Sequence, residues 1–592
     1  MKRTFRNLIL GFTGGLLLVG CATPPDPPVA KTLGPALEGI THPVFNPAPP
    51  KKDPPKELTP EEKEAAEDAK IARRIEALAH YGAAVAHKER GEEKAAIEEF
   101  YKAALADPSN EKIVMEVVQI LMVSRQGNKL FQLLVQATKD PEAPANLHAL
   151  LAASYLDRKK PELAKVAANN AIRRGPKLIA GYKSLVQVYR HEIRTGAKRT
   201  KEIRKALDGA LKQKDVKADF QVELALMLLG YLDLDKKAGK ELKPKINQML
   251  DAAWKGKPKN PILIEQIARG YRGVGTHEKA AQVMEELLKV LPNNPQVILE
   301  TARGFALAGK MDQAKAHLDA LTKKFPKFWQ GHQLRAAVAM DEDEYGIAAK
   351  HYREALKIRP RVQQLYFDLV SALLADDKPD EAAKVLEDTE KLFRASYLQI
   401  YFGAMIHLQK DDFAKAHEQL LEAVKFAKKS DPERLTYFLY FQLGSTAERS
   451  KKYKDAEKYF RKSIEVKPDY ATALNYLGYM WADRNENLDE AKKFVTRALK
   501  EDPDNAAFLD SMAWIFYRKG NLKEALKWQL KAMKNSKEDD PELLMHLGEI
   551  YHALKDDKKA RKYLEQAKGV KDLDADIKAK IETQLQNLDK KK

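Results

Sequence analysis

The sequence predicts an all-α chain built as a long stack of similar helical hairpins, and three observations on its 592 residues carry that reading. Prolines keep a fixed beat, with Pro292, Pro326 and Pro360 standing 34 residues apart and Pro108 and Pro176 standing 68 apart. Alanines repeat it: Ala280, Ala314, Ala348, Ala382 and Ala416 are each 34 apart, and Ala456, Ala491, Ala525 and Ala560 follow at 40, 35, 34 and 35. Within one period the small and apolar residues recur at helical spacing. Tyr440, Leu443, Gly444 and Ala447 share one face of a first helix, and Ala456, Phe460 and Ser463 share one face of a second, before Pro468 stops it. One such unit cannot cover its apolar face, so neighbours must stack.

Composition agrees with a packed, elongating core. Apolar residues make up 44% of the chain, which excludes wholesale disorder despite a charged fraction of 32%. The single cysteine excludes an intrachain disulfide and any cysteine-based zinc or iron–sulfur cage. Lys and Arg exceed Asp and Glu by 103 − 85 = 18.

Taken in order, residues 1–20 begin with Lys2, Arg3 and Arg6 and run into an apolar stretch from Leu8 to Gly20, too short for a confident membrane span. They read as an export signal. Leu18-Val19-Gly20-Cys21 resembles the lipobox of bacterial lipoproteins, and the resemblance implies that Cys21 is lipidated and becomes the first residue of the mature chain. Because Ala22 follows it, the sorting rule of those lipoproteins implies an outer-membrane destination facing the periplasm. Removing the signal leaves 18 − 3 = 15 net positive charges, so the basicity belongs to the body. Residues 21–60 then form a tether: 22–60 hold 12 of the 29 prolines, and the 39 residues would reach roughly 120 Å as polyproline II.

From residue 61 the repeat takes over. Ala96-Phe100-Ala103-Pro108, Ala348-Tyr352-Ala355-Pro360 and Ala456-Phe460-Pro468 resemble the tetratricopeptide repeat, a 34-residue helix–turn–helix. The resemblance covers most of residues 75–570 and implies a tetratricopeptide-repeat superhelical solenoid of about twelve helical hairpins, some degenerate, whose concave surface works. The chain divides into an N-terminal array at 61–189, an irregular lysine-rich helical segment at 190–260, a central array at 261–428 and a C-terminal array with its cap at 429–592. Between Ala164 and Ala280 lie 116 residues, too many for three regular periods, so the middle holds an insertion or longer helices.

No catalytic constellation is visible. The sequence lacks HExxH, GxSxG, a Walker-type loop and an EF-hand. His80 and His87, like His546 and His552, have no carboxylate or histidine at ligand spacing and read as packing residues. An enzyme hidden in 190–260 around His191 would lack a nucleophile–base pair. The expectation is a protein that is not an enzyme, with no metal and no cofactor. Nucleic acid is not expected as a partner, because the lysines alternate with acids along helices and export removes the chain from DNA and RNA. Lys236 to Lys259, with eight lysines against Glu241 and Asp251, reads as a solvated insertion or as a face for anionic polymers or acidic proteins.

The tetratricopeptide resemblance implies that the inner surface is lined by the second, fifth, ninth and twelfth positions of each first helix. Counting back from the ladder alanines gives two surfaces. Arg269 and Arg303 occupy the ninth position of central units, with Arg272 one turn on, and stacked guanidinium groups grip a carboxylate bidentately. The C-terminal half yields Phe367, Tyr401, Phe438, Phe441, Tyr479, Trp514 and Tyr517, a track for an extended or helical apolar peptide unless its rings pack between helices.

Residues 473–533, with LNYLGYMWADRN and LDSMAWIFYRKG, resemble the C-terminal units of long envelope tetratricopeptide lipoproteins, including outer-membrane adaptors of periplasmic carboxyl-terminal processing proteases. That resemblance implies a noncatalytic, lipid-anchored scaffold that brings such a protease to cell-wall hydrolase substrates. The alternative is an assembly factor for a secretion, pilus or exopolysaccharide-export machine. Either way the partners are envelope proteins, and the membrane is met through the lipid anchor alone.

Overall fold

A computed structural model of the chain describes residues 59–589, apart from 537 and 572. The export signal of 1–20, Cys21 and the tether up to residue 58 lie outside the described residues. The rest is helical: 29 α-helices, of which 28 pair into fourteen antiparallel hairpins while Ala575–Asp589 stands last and unpaired. That is two hairpins more than the period alone suggests. They fall into two compact units, one ending at Phe325 and the other beginning at Pro326, and each holds seven hairpins.

Helix starts are written in the sequence. Thr59 accepts from the Glu62 amide at 3.2 Å while its own amide donates to Glu62 Oε2 at 2.8 Å, closing a capping box on Pro60–Glu89. Asn260, Asn294 and Asp540 cap Pro261–Val274, Pro295–Leu307 and Pro541–Ala553, each followed by a proline whose missing N–H is harmless in a first turn.

The turn inside nearly every hairpin carries the repeat in its backbone; the turn between Ala218–Leu232 and Gly239–Lys255 is the exception. A residue in left-handed conformation recurs at Gly91, Arg125 and Lys159, and again at Gly275, Gly309, Asp343, Asp377 and Asp411, at intervals of 34. Lys451, Asn485, Gly520 and Lys555 continue it. Glycine meets that requirement without strain, Asp and Asn tolerate it, and Lys adopts it at a cost of roughly 1–2 kcal/mol.

The ladder alanines from Ala280 to Ala560 are all buried, where the two helices of a hairpin meet. A methyl on Gly444 would stand 2.5 Å from the ring of Phe460, which is itself fully buried, so only glycine lets these backbones approach. Burying a Phe460-sized side chain contributes about 1.5–3 kcal/mol, repeated unit after unit.

Residues 190–260 hold no irregular insertion. They continue the stack, with Ile179–Arg194, Ala218–Leu232 and Gly239–Lys255 longer than the 13–14 residues of most repeat helices and Thr200–Leu211 between them shorter, at 12. The last buries Leu242, Ile246, Leu250 and Ala253 and leaves all eight lysines of 236–259 exposed, so this basic stretch is the solvated face of an ordinary hairpin. Among the described residues, no helix is long and apolar enough to cross a membrane, and no group of three or more His, Cys, Asp or Glu has the geometry to hold a metal ion.

Candidate polypeptide-binding faces

The arginine row of the first unit is occupied from within. Glu300, one turn into Pro295–Leu307, ion-pairs with Arg272 through one oxygen and with Arg303 Nη1 at 2.7 Å through the other. Gln296 adds a hydrogen bond to the second oxygen at 3.3 Å. The carboxylate that the three arginines were expected to grip is therefore supplied by the neighbouring helix. Arg269 alone remains exposed on that row.

The aromatic track divides in two. Phe367 stacks on Phe402 at 5.7 Å and is buried. Tyr401 lies against Tyr397 at 5.7 Å, and burial pushes its phenol up to about 12. Phe441 is enclosed by Phe460, Tyr470 and Tyr476, at 5.8, 5.6 and 5.1 Å. These three rings are core, and they leave the expected binding track. The reason is that stacked hairpins cover a first helix on nearly every side: in Gln363–Ala375, every residue from Leu365 to Ala375 is buried.

Phe438, Tyr479 and Tyr517 stay half-buried, whereas Trp514 is as buried as Phe367 and Tyr401 and packs beneath Tyr517. These rings belong to the first helices Tyr437–Arg449, Ala471–Asp483 and Ala506–Arg518, which with Pro541–Ala553 bring more than rings together. Trp514 stacks on Tyr517 at 4.8 Å and on His546 at 4.2 Å. His546 is buried and hydrogen-bonds both oxygens of Asp510, at 2.9 and 3.0 Å. Fully buried Gln529 ties the same carboxylate to the next helix, donating to Asp510 at 2.6 Å and to the Leu543 carbonyl at 2.9 Å. Tyr479 donates its hydroxyl to Glu542 at 2.7 Å, and Gln584 of the last helix hydrogen-bonds Glu549.

Electrostatics set this corner apart. Burial on its own would lower the His546 pKa, but the Asp510 carboxylate, with Glu542 and Glu549 behind it, outweighs burial and raises it to about 9. Burial pushes Glu448, Glu542 and Glu549 upward as well, against the opposing pull of nearby cations. Arg518 is engaged elsewhere, donating to the carbonyls of Ala482 and Asp483 at 3.1 and 2.9 Å.

The sequence reading passed over Asp510, Glu542, His546 and Glu549. The signal was present, because the count that returns Trp514 and Tyr517 from Ala525 also returns Asp510 at the fifth position. From Ala560 it returns Glu542 at the second and Glu549 at the ninth. His546 has no companion at ligand spacing in its own helix, and its carboxylate stands 36 residues earlier, about one period away and adjacent in space.

Comparison with known proteins agrees with the architecture. Tetratricopeptide-repeat profiles match residues 296–327, 441–506, 482–540 and 541–571. A stretch of 177 residues is 30% identical to a TPR repeat-containing protein of Pseudomonas aeruginosa, covering 30% of this chain and 29% of that one, so the match spans less than a third of the relative's length. Among solved structures the chain is similar to the APC/C hetero-tetramer Cut9–Hcn1 (12% identity, 79% of this chain and 95% of that one, TM-score 0.35). It is similar to a human IFIT1 dimer with PPP-AAAA (17%, 58% and 90%, TM-score 0.33) and to YrrB, a TPR protein with an unusual peptide-binding site (19%, 35% and 100%, TM-score 0.29). No TM-score here reaches 0.5, and these likenesses say nothing of a ligand. The described residues form an all-α array of helical hairpins that matches tetratricopeptide repeats over 296–327 and 441–571, a fold that typically serves as a noncatalytic scaffold for protein–protein contacts.

Proposed function

We propose that this protein is a noncatalytic scaffold, moored to the outer membrane through Cys21 and facing the periplasm, that brings a processing protease together with cell-wall hydrolase substrates. The observation that carries the scaffold reading is the C-terminal face, where Tyr479, Trp514, Tyr517, Glu542 and Glu549 converge from three successive first helices. Rings with an apolar body and a polar edge, placed among carboxylates, suit polypeptide recognition. The lipobox-like Leu18-Val19-Gly20-Cys21 and the proline-rich tether support the mooring. Two clients held on one array meet at an effective concentration set by geometry, which is how a scaffold without chemistry speeds a reaction between them.

Crosslinking mass spectrometry in intact cells tests the partners and the surface together. Crosslinks from the face near Tyr517 to a protease and a cell-wall hydrolase are expected. Crosslinks to secretin or polymer-export subunits instead would replace the adaptor reading with that of an assembly factor. Cys21→Ser is expected to release the chain from the membrane fraction, and full retention of that variant would refute the anchor.

A further inference from the structure

The C-terminal face has an unbalanced feature. Glu448, Glu542 and Glu549 are half-buried, and none forms an ion pair with a described lysine or arginine. The polar partners shown for the last two, Tyr479 and Gln584, are neutral donors. Desolvated carboxylates without a cation are costly, and burial raises the pKa of all three for that reason. Nearby cations offset part of this cost at a distance, Arg449 and Lys580 for Glu448, His546 for Glu542, and His546, Lys580 and Arg518 for Glu549, but none of them closes an ion pair: His546 is bonded to Asp510, Arg518 to two carbonyls, and Lys580 is exposed on the last helix.

Two further observations point the same way and do not involve charge. Trp514, 5% exposed and held between His546 and Tyr517, has an indole N–H with no acceptor. Asn475, 6% exposed and one turn before Tyr479, has a side-chain carbonyl with no donor. Buried polar groups are nearly always paired, and a polypeptide backbone offers both a carbonyl and an N–H.

We infer that this face receives a lysine or arginine of a partner polypeptide, with Glu542 and Glu549 as its counter-ions and the half-buried Tyr479 and Tyr517 as the rings it lies against. The inference rests on the scaffold reading and names the chemistry of its client. A cation over such rings is attracted by their faces, and an ammonium or guanidinium group replaces the missing partner of each carboxylate. Because the whole chain is positive, attraction must be local, within about a Debye length of roughly 8 Å at physiological salt.

The test uses the purified full chain in detergent and three fluorescein-labelled decapeptides in which glycine alternates with lysine, norleucine or glutamate. The lysine peptide is expected to bind, the other two to bind at least about tenfold more weakly, and Glu542→Gln with Glu549→Gln to lower lysine-peptide affinity by about tenfold to a hundredfold. Glu565→Gln, on an exposed helix face, is expected to change nothing, and circular dichroism of the double variant confirms that it is folded. Equal binding of lysine and norleucine peptides, or unchanged binding by the double variant, overturns the inference. So does tighter binding of spermidine than of the lysine peptide, which would make the face a polyamine site. If the norleucine peptide binds and Tyr517→Ala abolishes that binding, the cationic client falls while the scaffold reading stands. If no peptide binds, the inference falls, and the crosslinks in cells decide the scaffold reading by themselves.

Discussion

Replacing His546 with glutamine should remove a pH dependence that is built into the C-terminal hairpins. The imidazole is buried, both carboxylate oxygens of Asp510 lie within 3.0 Å of Nδ1, and its pKa is raised to about 9 from an ordinary 6.5. A folded-state pKa above the unfolded value means that the folded state binds more protons between the two values. The stabilisation is thus complete below about pH 6.5 and drains away as pH rises through 9. A difference of about 2.5 units corresponds to ~3 kcal/mol at 1.36 kcal/mol per unit. Hydrogen exchange read by mass spectrometry on peptides covering 506–553, corrected for the intrinsic rate at each pH, follows this locally, which matters because a repeat array need not unfold in one step. The protein should lose ~3 kcal/mol of protection in these helices between pH 6 and pH 9.5, while His546→Gln, still able to hydrogen-bond Asp510, should change by less than ~1 kcal/mol. Equal slopes in the two proteins would show that the Asp510 pair does not hold His546 charged.

Gly444→Ala should destabilise its hairpin by ~1–2 kcal/mol, because the overlap with Phe460 at 2.5 Å outweighs the ~1 kcal/mol gain in helix propensity; exchange should rise across 437–466 and little beyond the adjacent units. Lys451→Gly should raise stability by ~0.5–1 kcal/mol, since Lys451 holds φ at 58° in a conformation that only glycine adopts freely, and an unchanged or lowered melting temperature would contradict the strain assigned to that turn. Glu300→Gln should cost ~1–2 kcal/mol by leaving Arg272 and Arg303 side by side without their shared carboxylate, and the loss should shrink at 1 M salt if it is electrostatic.

What the sequence made legible and what it hid follow one physical line. Steric demands recur at fixed chain positions, so the tight approach at Ala456 and the left-handed turns at Gly275, Gly309 and Gly520 stand in the open as small residues on a beat. The same turn at Lys451 leaves no mark, because lysine there is tolerated at a cost and not selected for its shape. The pairs were hidden for a different reason. His546 and Asp510 are 36 residues apart, and Arg272 meets Glu300 across 28, so a search for companions close in sequence finds neither, whereas a search on the next repeat, within about two turns of one period, finds both. The aromatic residues misled because the frame of the repeat places a ring on a line without saying whether the next hairpin closes over it. It closes over Phe367, Tyr401, Phe441 and Trp514 and leaves Phe438, Tyr479 and Tyr517 half-open.

The contrast between these two kinds of position bears on where function is built. Every hairpin core solves the same packing problem with small residues against large, and there local preference and global fold agree. In the first unit the adjacent charges of Arg272 and Arg303 are balanced by Glu300, so that row is complete as it stands. Around Glu448, Glu542 and Glu549 the balance is missing, and the fold holds desolvated carboxylates, an indole without an acceptor and an amide without a donor in one place. In a compact single-core domain such a concentration of unfavourable terms would weigh on the entire fold. In an array stabilised by nearest-neighbour contacts it weighs on three or four hairpins, while the remainder stays folded on its own contacts. That separation lets such an array carry one face of unbalanced charge without unfolding elsewhere, and it predicts that Glu542→Gln and Glu549→Gln will raise the local stability of 541–553 while lowering affinity for the lysine peptide.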